Sequence, residues 1–355
     1  MDSQRHQRIY QSNFNRIGKP NPMIIDMHAH ALAEGFLSDL CTHPIAGMSC
    51  QKDGHGGFLI RRPIDDAPRS LDKNLHDLPH RLDSLKRRKV ERQLFGPPPG
   101  QISWPGGVAP KEWAHAIHKA QAKIAAEAEG LMEPIAVPCL AEPAKTVDEL
   151  RKAVDDYGFR AVSVPTTAGG RALDDPEFEP LFGYAENAGL VLIMHPVSAT
   201  PPTRYGMYGI QVLVGWPMES TLAITRLIFG GVLERHPELK MVVVHGGGNL
   251  VFLRGRLNAA YEATGWEADP YYRKNITQPP SAYLARLLYD TCALSTDSNK
   301  FVIDTMGADH VVFGSDYPFD IGDPEGRRSV PVIDALPAEP KEKIYRGNAL
   351  ALLAS

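Results

Sequence analysis

The segment MIIDMHAHA (23–31) places His28 and His30 two residues apart at the end of an apolar run. In a β-strand successive side chains point to opposite faces, so Asp26, His28 and His30 should project the same way. Two imidazoles side by side with a carboxylate behind them suit one jaw of a metal site. Three more groups of metal-ligand type end apolar runs: His195 in LVLIMHPV, His245 in KMVVVHGG and Asp316 in HVVFGSDYPF. A lone histidine in such a place is more often a hydrogen-bonded structural residue. Five groups at matching strand ends are poorly explained that way. Neutral imidazoles plus a carboxylate suit Zn²⁺ or another first-row divalent ion, with a position left open for water.

Such groups converge only if their strands share one scaffold. MIIDMHAH and KVERQLFG (89–96) read as the first two strands. Past residue 130, MEPIAVPCL, FRAVSVPT, LVLIMHPV, KMVVVHGG, LARLLYDTCAL and HVVFGSDYPF read as six more. Helical stretches separate them: TVDELRKAVDDYG, PEFEPLFGYAENAG, MESTLAITRLIFGGVLERHP and DSNKFVIDTMG. KEWAHAIHKAQAKIAAEAEG (111–130), rich in Ala, Lys and Glu and closed by a glycine, is a further helix. Strands apolar on both faces, alternating with helices, indicate a parallel sheet covered by helices. Eight such units fit a closed (β/α)₈ TIM barrel, whose chemistry sits at the C-terminal strand ends. An open doubly wound sheet should show a glycine-rich phosphate turn after its first strand, and none is present.

The stretch 31–110, with GHGGFLIRRP and FGPPPGQISWPGG, is too long for an ordinary loop and is expected to hold a lid. Residues 1–22 are polar and basic without an apolar h-region, and read as an arm outside a barrel domain of 23–355. The 355 residues, 43% hydrophobic and 23% charged, carry a net charge of −4, which gives no footprint for nucleic acid or anionic membrane. No apolar run approaches the roughly 18 residues of a membrane helix. Four scattered cysteines without a CxxC read as reduced thiols, and with them a cytoplasmic protein. His115 and His118 read as a solvated helix face, and His236 and His310 as surface. His43, His55, His76 and His80 fall in the inserted stretch, where one could line the pocket.

HxH on the first strand, His-Pro on the fifth, HGGG on the sixth and GSDYPF on the eighth together resemble the amidohydrolase superfamily. More narrowly they resemble its decarboxylase branch, typified by aminocarboxymuconate semialdehyde decarboxylase. The similarity runs from about Met23 to Leu353. It includes LVGWPMESTLAITRLIFGGVLERHPELKMVVVHGGGNLVFLRGR and the closing RGNALALL. The resemblance implies that His28, His30, His195 and Asp316 are metal ligands and that His245 is the general acid/base beside the metal. It implies an arginine after the first strand that holds a substrate carboxylate, for which Arg61 and Arg62 in FLIRRP are both candidates. A second arginine, reaching in from a partner subunit, falls on Arg256 in FLRGR; its alternative reading is a helix-face ion pair. A homodimer or dimer-based oligomer is therefore expected. Binuclear members bridge two metals with a modified lysine, and FRAVSVPT has none, so one ion per chain is expected. Zinc is the first candidate and manganese the second. Two departures, Val197 after His-Pro and Val212 before the LVG motif, replace aromatic walls of the family's pocket.

A divalent ion lowers the pKa of bound water to about 7 and polarises a substrate oxygen. An imidazole moves protons near neutral pH. Asp316 can ligate the ion and accept a proton, and an arginine clamps a carboxylate through two parallel hydrogen bonds. These parts serve non-oxidative decarboxylation of a carboxylated phenol, enol or muconate-type acid, in the breakdown of aromatic compounds. They also serve hydrolysis or hydration of a C–C, amide or lactone bond in a related acid. A non-catalytic metal-binding scaffold is the third reading, disfavoured because every expected ligand is present.

Overall fold

Apolar runs bounded by turn residues form eight parallel strands: β1 (Ile24–Asp26), β5 (Val90–Phe95), β6 (Met132–Ala136), β7 (Ala161–Pro165), β8 (Val191–His195), β9 (Lys240–Val243), β10 (Leu288–Asp290) and β11 (Val311–Val312). They hydrogen-bond in the order β1-β5-β6-β7-β8-β9-β10-β11. The sheet closes on itself, because Met27 donates to the Phe313 carbonyl (2.9 Å) and Ala29 bridges Tyr317 in parallel. The result is the expected (β/α)₈ barrel. The computed structural model describes residues 23–99, 108–197, 205–265 and 268–354, so the expected arm at 1–22 lies outside the described residues.

Ile25, Leu94, Ile135, Ala161, Val191, Ile193, Val242 and Val312 form one cluster together with Ala349, Leu352 and Leu353 of the C-terminal helix. Arg160 and Lys240, at the N-terminal ends of β7 and β9, donate to the Leu353 and Leu352 carbonyls (2.8 and 3.0 Å). The helix is thereby fixed over the N-terminal end of the barrel, and polar side chains are left to the opposite end. The alternate residues Val162, Val164, Leu192, Met194, Met241 and Val243 face outward into the larger core with Leu150, Phe182, Ile224 and Leu227 of the helices. Each such buried aliphatic side chain contributes about 1.5–3 kcal/mol, which is what holds sheet and helices together.

Between β1 and β5 the chain folds on its own account. Helix Glu34–Thr42 packs against a small antiparallel sheet of β2 (Ser49–Lys52), β3 (Phe58–Arg61) and β4 (Arg69–Ser70). Leu37, Leu40, Met48, Phe58, Ile60, Leu71 and Leu75 form its core with Trp113 and Ile117, and Phe319 packs onto it. Helix Leu78–Arg88 follows. The Asp77 side chain caps its start, accepting from His80 N at 2.9 Å, and Lys89 at φ 58° ends it and turns the chain into β5.

One expectation fails here. The helical run Gln211–Phe229, 19 residues with mean hydropathy 1.2, is long and apolar enough by length and composition to cross a bilayer. Ala223, Ile224, Leu227 and Ile228 on its inner face belong to the barrel core, so it serves as a barrel helix.

Candidate metal centre

Five side chains meet at the C-terminal ends of the strands. His28 and His30 follow β1, His195 ends β8, His245 follows β9 and Asp316 follows β11. The His28 ring lies 5.1 Å from that of His195, 5.2 Å from His245 and 5.3 Å from His30. Asp316 Oδ1 sits 3.0 Å from His30 Nε2 and 3.4 Å from His28 Nε2, and its Oδ2 lies 3.6 Å from His245 Nε2. The ligand atoms of His28, His195, His245 and Asp316 all lie within 4.8 Å of one another, and His30 abuts this quartet through Asp316. The chain therefore has a metal-binding site. Distance alone does not separate His30 from His245 as a ligand.

The donors fit a cation. The buried Nε2 atoms of His28, His30 and His195 and Oδ1 of Asp316 make no hydrogen bond with another described residue. An orphaned buried polar atom costs about 1–3 kcal/mol, and four that converge are explained if a positive ion satisfies them together. Burial opposes ionisation of Asp316, but His28, His245 and His30 around it hold its carboxyl well below the usual range. Burial, and then the neighbouring imidazoles, hold His195 well below its ordinary value, and burial also lowers His30. Burial lowers His28 too, but Asp316 and Asp290 outweigh it and raise that imidazole.

The ring nitrogens behind the site differ among the histidines. His28 Nδ1 faces Asp290 Oδ2 at 2.7 Å, His30 Nδ1 the Pro97 carbonyl at 3.2 Å, and His195 Nδ1 the Pro196 carbonyl at 2.9 Å. Each acceptor keeps the proton on Nδ1 and leaves the Nε2 lone pair aimed at the centre. His245 Nδ1 is buried without a partner among the described residues. The backbone is also unusual there. His245 (φ 57°) and Asp316 (φ 55°) adopt the left-handed region, which carries a cost in non-glycine residues and concentrates at functional sites. Gly247 (φ 78°) must be glycine, since a Cβ would lie 2.4 Å from the Tyr289 ring.

The carboxylate behind the imidazoles is not Asp26. β1 ends at that residue, so strand alternation does not carry on to His28. Asp26 Oδ2 accepts instead from Gln93 Nε2 (2.7 Å) and Ser315 Oγ (2.6 Å), tying β1 to its two neighbours. Asp290 takes the role, and also accepts from Gly246 N at 2.8 Å, so one carboxylate orients His28 and the turn carrying His245. A carboxylate closing the apolar run LLYD was the available signal. Asp290→Asn is expected to weaken metal affinity by about 10–100-fold in a chelator competition; unchanged affinity would remove it from this role. Arg81, fully buried and pushed down to about 10 by burial, is another residue the sequence did not reveal. It donates to Gln93 Oε1 (2.7 Å) and to the His30 carbonyl, and lies 4.5 Å from the Tyr317 ring centre.

Two aromatic residues stand over the centre despite Val197 and Val212. The Trp216 ring is nearly parallel to His245 (6.4 Å, 20°), and Phe319 lies 5.3 Å from His30. The three arginines are not among the converging groups. Arg61 is exposed and donates Nε to the Asp65 carbonyl at 3.2 Å. Arg62 grips both Asp65 oxygens at 2.9 and 2.8 Å. Arg256 is exposed on helix Leu250–Glu262 and makes no hydrogen bond or ion pair with another described residue, so the helix-face ion pair is not formed.

Other histidines depart from expectation. His118 is buried, accepts from Val137 N at 2.9 Å and is lowered to about 4 by burial. Its neighbour His115 is exposed and pairs with Glu149 at 2.9 Å. His236 is buried between Glu186 (2.9 Å) and Glu179 (3.0 Å), while His310 is half-buried. His43, His55 and His80 are exposed, and half-buried His76 lines a side cleft with Arg81 and Lys123.

Known proteins share this fold. A 2-amino-3-carboxymuconate-6-semialdehyde decarboxylase of Dictyostelium discoideum is 27% identical over 333 residues, covering 93% of this chain and 91% of that one. The apo structure of IDCase from Metarhizium anisopliae superimposes with a TM-score of 0.77 at 21% identity, covering 94% and 97% of the two chains. A dihydroxybenzoic acid decarboxylase from Polaromonas sp. JS666, solved with manganese and 2-nitroresorcinol, gives a TM-score of 0.74 at 17% identity over 94% and 97%. At these identities the two structures speak for the fold alone. The profile of the amidohydrolase family matches residues 25–354, nearly all of the barrel and every converging ligand, and the chain belongs to that family.

Proposed function

We propose that this protein is a metal-dependent carboxy-lyase that removes CO₂ without oxidation from a carboxylated phenol, enol or muconate-type acid, in the breakdown of aromatic compounds. The observation that carries this reading is the convergence of four orphaned ligand atoms beside an imidazole with a free ring nitrogen. His28, His30, His195 and Asp316 would hold one ion, zinc or, as in the Polaromonas relative, manganese. When bound, the ion supplies Lewis acidity toward substrate oxygens. His245, whose Nδ1 has no partner among the described residues, is the group suited to move a proton. It donates to the carbon bearing the carboxylate; the C–C bond then breaks, CO₂ leaves and the electron pair returns to the conjugated system. Trp216 and Phe319 offer flat faces to such a substrate. Of the two arginines, Arg61 is the easier to recruit for the carboxylate, because one bond to a carbonyl holds it while Arg62 is gripped by a buried carboxylate. Residues 23–355 act as one barrel unit in this reading, with a lid inserted within 31–110 and 1–22 as an arm.

The test is direct. Metal-loaded protein is incubated with a panel of carboxylated phenols and muconates, and product mass is read. Loss of CO₂ is expected. Products heavier by one water would favour a hydratase or hydrolase instead, and a panel left untouched by fully metallated protein would count against decarboxylation.

The same reading makes the protein a homodimer or dimer-based oligomer of the cytoplasm, acting on a small carboxylate and on neither nucleic acid nor membrane. Its free thiols and balanced charge agree with this. Phe252, 78% exposed, stands one turn before the unpaired Arg256, and Leu213, Val214 and Leu222 are exposed on the Gln211–Phe229 run. An exposed aromatic ring one turn from a free cation suits a covered face. If Arg256 serves the neighbouring site, Arg256→Ala and His245→Asn subunits should complement on mixing. Random exchange in a twofold dimer predicts recovery of roughly a quarter of full activity. No recovery despite demonstrated exchange would confine Arg256 to its own chain.

A further inference from the structure

The insertion between β1 and β5 contains two cysteines that the proposed chemistry does not use. Cys41 lies in the last turn of helix Glu34–Thr42, and Cys50 is the second residue of β2. The residues between them double back in a tight turn. Ile45 and Met48 exchange backbone hydrogen bonds (3.0 and 2.8 Å), with Ala46 at φ 49° and Gly47 at φ 86°. Positive φ at both central residues is the geometry that reverses a chain most sharply. The reversal brings the end of the helix against β2. Cys50 is buried in the core of the insertion, and Cys41 packs onto that core from the helix side, close enough for its thiol to help raise that of Cys50. The remaining cysteines are placed apart: Cys139 faces the Thr146 hydroxyl (3.6 Å), and Cys292 is fully buried after β10.

We propose that Cys41 and Cys50 form a specific oxidative modification site, an intramolecular disulfide made by hydrogen peroxide within the substrate-covering insertion. Cys41, half-exposed, is the thiol a small oxidant reaches. Cys50, buried in the core against which Cys41 packs, is by position the resolving partner. Cys41 sulfur attacks one peroxide oxygen, giving a sulfenic acid and water. Cys50 sulfur then attacks the Cys41 sulfur and expels a second water. Two thiols lose two protons and two electrons, and one peroxide takes them up and becomes two waters.

The crosslink would act on the strand pair that carries Arg61. In the β2–β3 pairing Cys50 stands opposite Ile60, and Ser49 opposite Arg61. Phe319, which lies against His30, packs on the same core. Tying β2 to the helix therefore restrains the strand pair that leads into Arg61 and Arg62. This consequence for substrate rests on the decarboxylase reading; formation of the disulfide does not.

The experiment treats metal-loaded full-length protein with hydrogen peroxide, then unfolds it and alkylates with N-ethylmaleimide. Four adducts are expected before oxidation and two after, with dithiothreitol restoring four. Cys41 and Cys50 share one tryptic peptide, which should emerge unalkylated and lighter by two hydrogens. Cys41→Ser protein should keep its three thiols under the same treatment, whereas Cys50→Ser protein should lose one, Cys41, which stops at the sulfenic acid. Four adducts after oxidation, loss of two thiols in either serine variant, or a crosslink between chains would overturn the assignment. In the crosslinked protein KM should shift and return on reduction while metal content holds; a crosslinked protein with unaltered KM would sever the link to substrate.

Discussion

Replacing His245 with asparagine is expected to leave the metal bound and to lower turnover by about 10²–10⁴-fold, the usual worth of a positioned general acid/base. The expectation rests on what stands behind each imidazole. His28, His30 and His195 each have Nδ1 held by an oxygen, the arrangement that fixes a metal-ligating histidine, whereas His245 Nδ1 has none. Asparagine is the right replacement because the residue sits at φ 57°, where asparagine is among the few side chains tolerated. The turn before Gly246 should therefore survive. Metal content by elemental analysis and turnover on the same preparation check the result. Because His28, His195, His245 and Asp316 lie within 4.8 Å of one another, the opposite outcome is well defined. If the variant loses metal before it loses rate, His245 is a ligand and His30 must take another role.

The barrel was legible because parallel strands buried on both faces are nearly continuous apolar runs, and all eight such runs became strands. The five converging groups were legible for the same reason, as polar residues that end those runs. What stands behind them was not. The His28–Asp290 contact joins residues 262 apart and depends on the register in which β11 returns to β1. Arg81 reads as one more charge on the helix Leu78–Arg88, and only packing shows it beneath the His30 carbonyl. His118 departs from expectation because helical spacing reveals a face but not the element that covers it, and His236 because its place beside a helix end does not show that Glu186 and Glu179 close over it. Asp26 was misjudged by extending strand alternation past the residue where β1 ends. The insertion looked irregular because its strands, only two to four residues long, are too short to display a period.

Changing His195 to alanine is expected to strip the metal and abolish turnover with it. Its Nε2 is buried, unpartnered and surrounded by the other donors, so truncation removes a ligand without freeing a substitute. The loss in affinity should exceed the roughly 10–100-fold that follows from disturbing a residue behind a ligand. Wild-type protein should hold one ion per chain, since no lysine lies on β7 (Ala161–Pro165) to bridge a second. A readout independent of turnover is available. A cation that binds only the folded state raises the melting temperature by mass action, so zinc or manganese should stabilise wild type and leave His195→Ala unmoved. Two ions per wild-type chain would refute the mononuclear site. A fully metallated and fully active His195→Ala protein would place His195 outside it, and with His195 would go the argument that an Nδ1 proton held by an oxygen marks the ligands.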